Sequence, residues 1–203
     1  RFCRIKHWAG LPIEAVRFCL QQGNIDLTGL DHIAINRDPR ANMLKKALYA
    51  FSKRPSLGAI RARLHNASQI RDIRSLLADK FGVRQAECNS LVHHVEHHRA
   101  HFASSFFVSP FESAAIASVD GFGDFVSTMT GVGQGTKITV FDQVSFPHSL
   151  GLFYLAMTQY LGFPSYGDEY KIMGLAACGE PEFLEALRKI CLLYTSPSPR
   201  DRG

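Results

Sequence analysis

The chain has 203 residues, of which 46% are hydrophobic and 20% charged, and its formal net charge at pH 7 is +5. This length and composition suit one folded core or part of a larger enzyme. No apolar run approaches the roughly 20 residues that cross a bilayer, and no signal-peptide core follows the first residues, so a membrane partner is not expected. The chain begins with arginine rather than methionine, which predicts a truncated start.

The first third of the chain alternates helical and extended patterns. An amphipathic stretch at 11–22 predicts a helix that ends at Gly23, and the apolar run at 31–36 predicts a short buried strand. Further helical patterns follow at 41–52 and 68–81, and Gly82 supplies a stop signal for the second of them. This mixed order predicts an α/β fold.

A basic segment covers residues 39–71, where eight lysines and arginines occur without any acidic residue. Such a segment attracts anions, and Tyr49 and Phe51 within it make a nucleic acid conceivable. The basic residues are spaced rather than clustered, however, and no recognisable nucleic-acid module accompanies them. The segment is therefore interpreted as a solvated helical face, with a site for a polyanionic or phosphorylated ligand as the alternative.

Histidines are concentrated at 93–101, where five of the nine in the chain occur. If residues 91–106 form one helix, then His94, His97 and His101 lie on the same face at spacings of three and four. Neutral imidazoles arranged in this way can converge on one cation. The pattern predicts a metal-binding helix, and an exposed polar helix is the alternative.

A third ligand is available at the end of the next predicted strand, residues 114–119, whose small and apolar side chains predict cover on both faces. Asp120 follows that strand directly and can join the two helical imidazoles. Gly121 and Gly123 allow a phosphate or a carbonyl group to approach the backbone closely. Strands at 125–131 and 137–144 then form a hairpin around the glycine-rich residues 131–135.

The last third contains a predicted helix at 150–161, which begins after Ser149 and stops at Gly162. Residues 167–176 place an acid and a lysine beside glycines, and another helical pattern covers 181–190. The Ser/Pro-rich end breaks this pattern and is similar to translated sequencing-adapter read-through. Residues 191–203 are therefore predicted to be a non-native tail, with a native linker as the alternative.

Five blocks in the chain resemble the signature blocks of the O-carbamoyltransferases of nodulation-factor and antibiotic biosynthesis, in the same order. They are Arg-Phe-Cys-Arg-Ile-Lys-His at 1–7, His-His-Arg-Ala-His at 97–101, Val-Asp-Gly-Phe-Gly-Asp at 119–124, Ser-Leu-Gly-Leu-Phe-Tyr at 149–154 and Glu-Tyr-Lys-Ile-Met-Gly-Leu-Ala at 169–176. Together they span nearly all of residues 1–190, which we therefore assign to part of an N-terminal carbamoyltransferase domain.

The resemblance implies an incomplete domain of the actin-like ATPase and sugar-kinase superfamily, which has a ribonuclease-H-like fold and includes the universal threonylcarbamoyl transferase. It also implies the activity. Family members form carbamoyl adenylate from carbamoyl phosphate and ATP in a separate C-terminal domain, and they pass the carbamoyl group to a hydroxyl of a small acceptor. The fragment alone is expected to be inactive. The five scattered cysteines, without a close pair, favour a cytoplasmic location.

When the family's site residues are matched to this sequence position by position, the resemblance implies that His97, His101 and Asp120 bind a divalent metal. Iron is favoured over zinc or manganese. Asp120, Arg4 and Lys6 become the catalytic residues, the last two balancing the negative charge of the adenylate. The resemblance assigns the nucleotide contacts to Gly121, Gly123, Ser149, Gly151 and Lys171. For Lys171, a structural ion pair with Glu169 is an equal alternative.

This chain departs from the family pattern in two ways. Asp124 occupies the position after the glycine turn that usually holds glutamate, so any contact that needs the longer side chain is in doubt. In addition, the family's opening strand with its His-Asp-Ser block and a distal carboxylate ligand are missing.

Three other activities are compatible with parts of the sequence. A metal-dependent hydrolase is suggested by the spacing of His97 and His101, but His98 stands where a zinc peptidase helix needs glutamate. A threonylcarbamoyl-type transferase that modifies tRNA is an alternative within the superfamily. A nucleic-acid-binding module rests on the basic segment alone.

Overall fold

The structure is a computed structural model that describes residues 10–53 and 73–195. Within these residues it contains helices and strands in mixed order, which confirms the predicted α/β class. The helices are α1 (Ile13–Gly23), α2 (Met43–Lys53), α3 (Ile73–Phe81), α4 (His97–Phe106), α5 (Leu150–Tyr160), α6 (Glu169–Ala176) and α7 (Leu184–Thr195). The strands are β1 (His32–Ile35), β2 (Leu91–His94), β3 (Ser113–Gly123), β4 (Val126–Gln134) and β5 (Lys137–Ser145).

The chain divides into two compact units. Unit 1 comprises residues 1–35 and 53–94, and unit 2 comprises residues 36–52 and 95–203. In unit 1, β1 and β2 pair in parallel. The core of this unit contains Leu20 of α1, Leu77 and Ala78 of α3, and Leu27 and Cys88 from the segments that follow these helices. The sequence correctly predicted α1, β1 and the described part of α3. The first part of the helix predicted at 68–81 lies outside the described residues, as do all of residues 54–72.

Two details of unit 1 differ from prediction. The strand β1 is not buried throughout, because His32 and Ala34 are exposed and only Ile33 and Ile35 are partly covered. The helix α1 includes Gly23, and its left-handed terminal residue is Asn24, whose N–H donates to a carbonyl of the last turn. Asparagine tolerates this conformation because its short polar side chain reduces the steric penalty.

Unit 2 is built on an antiparallel sheet with the strand order β3-β4-β5. The strand β3 is longer than the predicted 114–119 and continues through Asp120 to Gly123. Cover on both faces was predicted, but only Ile116 and Ser118 are buried, whereas Ala115, Ala117 and Val119 are exposed. A run of small residues can therefore fit an antiparallel strand that is covered on one face only.

The glycine-rich hairpin lies where it was predicted, but its glycines have another function. The turn between β4 and β5 contains Gly135, which has a φ of 56°, whereas Gly131 and Gly133 belong to β4. A Cβ atom on Gly133 would lie 2.6 Å from the ring of Phe106, and one on Gly131 would lie 2.4 Å from the carbonyl oxygen of Thr139. These glycines allow α4 and β5 to pack closely against β4.

The core of unit 2 lies between α4 and the sheet. It contains Phe102, Phe106, Ile116, Val126 and Met129, all of which are buried. Phe107 is 52% exposed and does not belong to this core. It follows the last residue of α4 and caps the helix.

His98 is the largest polar side chain in this core and is fully buried. Its Nδ1 atom lies 2.8 Å from Ser118 Oγ, and its Nε2 atom lies 3.0 Å from the carbonyl oxygen of Val126. Both ring nitrogens are therefore paired, which accounts for the burial of an imidazole between helix and sheet. These contacts hold the His98 ring between α4 and the sheet.

Replacing His98 with leucine should lower the free energy of unfolding by about 2–4 kcal/mol, because two buried polar partners lose their hydrogen bonds. Urea denaturation of the protein measures this change. The double variant His98→Leu with Ser118→Ala is the matched comparison, and it should recover part of the loss since the hydroxyl left without a partner is removed. An unchanged unfolding midpoint in His98→Leu would show that the two hydrogen bonds contribute nothing.

The C-terminal helices begin and end largely as predicted. Ser149 caps α5 by accepting a hydrogen bond from the Leu152 N–H, and Gly162, with a φ of 92°, follows the end of this helix. The last helix, α7, continues to Thr195, beyond the predicted end at residue 190. Residues 196–203 lie outside the described residues, and the non-native origin of 191–203 stays a prediction.

No helix in the described ranges is both long and apolar enough to span a bilayer.

Candidate metal centre

The histidine-rich segment is not one continuous helix. Residues Leu91–His94 form β2, which pairs in parallel with β1, and the helix α4 starts at His97. Glu96 precedes the helix, and its carboxylate accepts a hydrogen bond from the Arg99 N–H. The predicted face therefore loses His94, which lies on the strand, whereas His97 and His101 share one side of the first helical turns.

Three side chains converge between α4, which carries two of them, and β3, which carries the third. His97 Nε2 lies 2.9 Å from Asp120 Oδ2, and His101 Nε2 lies 3.1 Å from His97 Nε2. The third distance, between His101 Nε2 and Asp120 Oδ2, is 3.7 Å. Within residues 10–53 and 73–195 these three form a cluster whose ligand atoms all lie within 4.8 Å of one another.

Hydrogen bonding alone explains this cluster poorly when the rings are neutral. The Nε2 atom of a neutral imidazole carries either one hydrogen or one lone pair. If His97 Nε2 carries the hydrogen, that one hydrogen has to be shared between Asp120 Oδ2 and His101 Nε2. The lone pairs of these two acceptor atoms then point at the same hydrogen. A cation at this position would be bound by all three atoms at once.

The donor set also fits a metal ion in its dimensions. Ligand atoms that bind one ion at roughly 2.0–2.2 Å lie roughly 3–3.6 Å from each other, which is close to the three distances observed. Two imidazoles and one carboxylate suit iron, zinc or manganese. His101 is exposed and His97 and Asp120 are half-buried, so a substrate could reach the remaining coordination positions.

Asp120 is held in its charged form. Burial by itself would raise the pKa of this carboxyl, but the hydrogen bond with His97 and the one from the Gly121 N–H outweigh burial and lower the pKa below its ordinary value. The Gly121 N–H donates to Asp120 Oδ1 at 2.6 Å, so the other oxygen remains directed at the histidines. A metal ligand has to be deprotonated, and these contacts favour that state.

Four of the five residues predicted to contact a nucleotide, Gly121, Gly123, Ser149 and Gly151, lie around Asp120, where several of them have packing functions. A Cβ atom on Gly123 would lie 2.0 Å from the ring of His97, and one on Gly151 would lie 2.5 Å from the Asp120 carbonyl oxygen. Ser149 Oγ donates to the carbonyl oxygen of Gly121 at 2.7 Å and is buried. These glycines and this serine bring α4 and α5 against β3, and their contact with a nucleotide stays a prediction.

Lys171 pairs with a different acid from the one considered in the sequence. Its Nζ atom lies 2.8 Å from Asp168 Oδ1, rather than beside Glu169, and Asp168 is buried. The hydrogen bond to Asp168 raises the pKa of the lysine above its ordinary value, although burial acts in the opposite direction. The ion pair links the start of α6 to the residue that precedes it, and a nucleotide contact for Lys171 stays a prediction.

The predicted catalytic residues Arg4 and Lys6 lie outside the described residues, as does much of the basic segment. Two of its lysines make internal contacts: Lys45 donates to Ser145 Oγ and Lys46 donates to the Pro39 carbonyl oxygen. Burial lowers the pKa of Lys46 despite the nearby carboxylates of Asp124 and Asp38. These two lysines support the fold and do not argue for a nucleic-acid surface.

The position after His97 argues against a peptidase centre. A zinc peptidase helix carries a glutamate there as general base, whereas His98 is fully buried with both nitrogens paired. His98 therefore has no nitrogen available for a water molecule bound at the cluster. The geometry supports a metal site without this hydrolytic base.

Comparisons with known proteins identify a family and several similar proteins. A family model described as "Carbamoyltransferase N-terminus" matches residues 1–196. Nodulation protein NolNO of Sinorhizobium fredii is 35% identical over 182 residues, which are 89% of this chain and 25% of NolNO. Nodulation protein NolO of Bradyrhizobium diazoefficiens is 48% identical over 90 residues, which are 43% of this chain and 16% of NolO.

A protein of Synechocystis with the printed name "Uncharacterized protein sll1178" is similar along most of the chain. It is 35% identical over 193 residues, which are 92% of this chain and 31% of that protein. The chain thus spans less than a third of the length of these relatives.

Proposed function

Because the chain belongs to the carbamoyltransferase N-terminus family, as the resemblance of its signature blocks predicted, we propose that it supplies the metal-binding part of an O-carbamoyltransferase. The enzyme takes a carbamoyl group from carbamoyl phosphate, by way of carbamoyl adenylate, and transfers it to a hydroxyl of a small molecule. The observation that carries this proposal is the convergence of His97, His101 and Asp120 on one point.

In the transfer step, the acceptor oxygen attacks the carbamoyl carbon, the bond from that carbon to the adenylate oxygen breaks, and AMP leaves. The acceptor hydroxyl loses its proton during the attack. A divalent ion, with iron favoured over zinc or manganese, would supply Lewis-acid polarisation of the carbamoyl carbonyl when bound. His97 and His101 would hold that ion with neutral imidazoles, and the low pKa of Asp120 keeps the third ligand charged.

We propose that the phosphate end of the adenylate lies beside Asp120. Gly121, Gly123, Ser149 and Gly151, the residues that the resemblance assigns to this contact, all lie around Asp120. Arg4 and Lys6 would balance the negative charge of the adenylate, and Lys171 would contribute from α6. The family relationship, rather than a contact in the described residues, supports these assignments.

We further propose that residues 1–190 are part of a domain of the actin-like ATPase and sugar-kinase superfamily, which the mixed order of helices and strands supports. A C-terminal domain of the same enzyme would form the carbamoyl adenylate from ATP. We place the enzyme in the cytoplasm because Cys19, Cys88 and Cys178 are free thiols. Nucleic acid is not a proposed partner, and a threonylcarbamoyl-type transfer to tRNA remains the alternative reaction.

The proposed reaction is tested by incubating the full-length protein with carbamoyl phosphate labelled in its carbonyl carbon, ATP, Fe²⁺ and a mixed pool of sugars and other small hydroxyl compounds. We expect label to appear on an acceptor only when ATP, carbamoyl phosphate and the metal are all present, as measured by mass spectrometry. A parallel reaction with tRNA as the only acceptor separates the alternative. Label transferred only to tRNA, or to no acceptor in any reaction, would contradict the proposal.

A further inference from the structure

The Asp124 carboxylate joins two separate backbone segments beside the metal ligands. Its Oδ2 atom accepts a hydrogen bond from the His97 N–H at 3.0 Å and another from the Asp38 N–H at 2.7 Å. Asp124 lies in the two-residue turn between β3 and β4, where Asp124 and Phe125 both have positive φ. The aspartate side chain, one methylene shorter than glutamate, therefore has enough reach for these two bonds.

One of these bonds fixes the start of the ligand-bearing helix. The first N–H groups of a helix have no acceptor within the helix, and a carboxylate near them is favoured by the helix dipole. Glu96 accepts from Arg99, and Asp124 accepts from His97 itself. The backbone of a predicted metal ligand is therefore held by a carboxylate from another element.

Asp124 is in turn held in place by a polar chain. Its carbonyl oxygen accepts a hydrogen bond from Asn42 Nδ2 at 3.0 Å, and Asn42 Oδ1 accepts one from Gln143 Nε2 at 3.0 Å. These bonds connect the β3–β4 turn to the segment before α2 and to β5. The turn can therefore act as a fixed support for α4.

Residues 120–124 then contact His97 at three points. The Asp120 carboxylate lies against its Nε2 atom, the Gly123 backbone lies against the face of its ring, and the Asp124 carboxylate binds its backbone N–H. The Asp124 contact is the one of the three that holds the helix backbone rather than the ring. Its loss would allow the start of α4, and the imidazole with it, to move relative to Asp120.

We propose that Asp124 is a positioning residue of the metal centre, which acts through the His97 backbone to set the geometry of metal binding without touching the ion. This inference rests on the proposed metal site and adds a residue to it. Partners of metal ligands at this distance typically change metal affinity by about 10–100-fold when they are removed. The same range is expected for Asp124.

The test is a titration of the full-length protein with Co²⁺, read by calorimetry and by the visible absorption of the bound ion, which reports its coordination geometry. Asp124→Ala should bind Co²⁺ about 10–100-fold more weakly and with a changed spectrum. Asp124→Asn, which retains an accepting oxygen without the charge, should lie between this variant and the wild type. Asp26→Ala is the matched control, because the Asp26 carboxylate also accepts two backbone N–H groups, those of Thr28 and Gly29 in a short 3-10 turn of unit 1.

The expected result is a loss of affinity in the Asp124 variants and wild-type affinity in Asp26→Ala. Wild-type affinity and an unchanged spectrum in both Asp124 variants would overturn the positioning role while leaving the metal site intact. An equal loss in Asp26→Ala would also overturn it, since general destabilisation would then suffice. A wild-type protein that binds no Co²⁺ would overturn the metal site itself and the positioning role with it.

Discussion

Replacing His97, His101 or Asp120 with alanine should remove the bound metal and the transfer activity of the full-length protein together. Each substitution deletes one of three converging donor atoms, and the remaining two cannot hold the ion in the same geometry. The affinity should fall by more than about 100-fold, because a ligand contributes more than the partners that orient it. Metal content after dialysis, measured by elemental analysis, and carbamoyl transfer by mass spectrometry check this result.

His94→Ala is the control for this series. His94 lies in the same histidine-rich segment, but it belongs to β2 rather than to the helix α4. We expect this variant to keep its metal content and its activity. A loss of metal in His94→Ala, with retention in the other three variants, would refute the proposed ligand set.

Replacing Gly123 with alanine should damage the metal centre without altering any ligand. The new Cβ atom would lie 2.0 Å from two carbon atoms of the His97 ring, so the imidazole has to move away from Asp120. Overpacking of this kind typically costs about 1–3 kcal/mol of folding free energy. The metal affinity should fall by roughly 10–100-fold, as expected when a ligand loses its orientation.

Gly174→Ala provides the comparison for Gly123→Ala. Gly174 lies within α6, and a Cβ atom placed there would have no neighbour within 4 Å. Alanine favours a helix over glycine, so this variant should be at least as stable as the wild type and should bind metal normally. Equal metal affinities for the two variants would mean that the close contact between Gly123 and His97 has no effect on the site.

The convergence of His97, His101 and Asp120 could be predicted from the sequence because its signals are local. A spacing of four residues places His97 and His101 on one side of a helix, and Asp120 was predicted at the end of a strand, so both features could be read without a tertiary structure. The resemblance to the carbamoyltransferases then connected the two elements. The structure brings all three side chains together, as expected.

The errors occurred where distant residues decide the local structure. Leu91–His94 forms a strand because it pairs with His32–Ile35, about 60 residues earlier, and no local pattern reveals that partner. The glycines at 131 and 133 lie in a strand, where Thr139 and Phe106 approach so closely that a Cβ atom would not fit. Glycine-rich sequences are usually predicted to be turns. The neighbours that leave no room for a Cβ atom are known only from the fold.

Asp124 illustrates the same limitation within the site. In the sequence it is a shortened substitute for glutamate after a glycine turn. Its bonds to the N–H groups of His97 and Asp38 join residues that are 27 and 86 positions away. Only the fold shows that this carboxylate binds the backbone of a proposed metal ligand.

The most direct measurement is a crystal structure of the full-length protein grown with Mn²⁺, with anomalous scattering used to locate the ion. We expect one anomalous peak bonded at roughly 2.0–2.3 Å to Nε2 of His97, Nε2 of His101 and a carboxylate oxygen of Asp120. A peak bound elsewhere, with His97 and Asp120 still hydrogen-bonded directly to each other, would contradict the proposed metal centre.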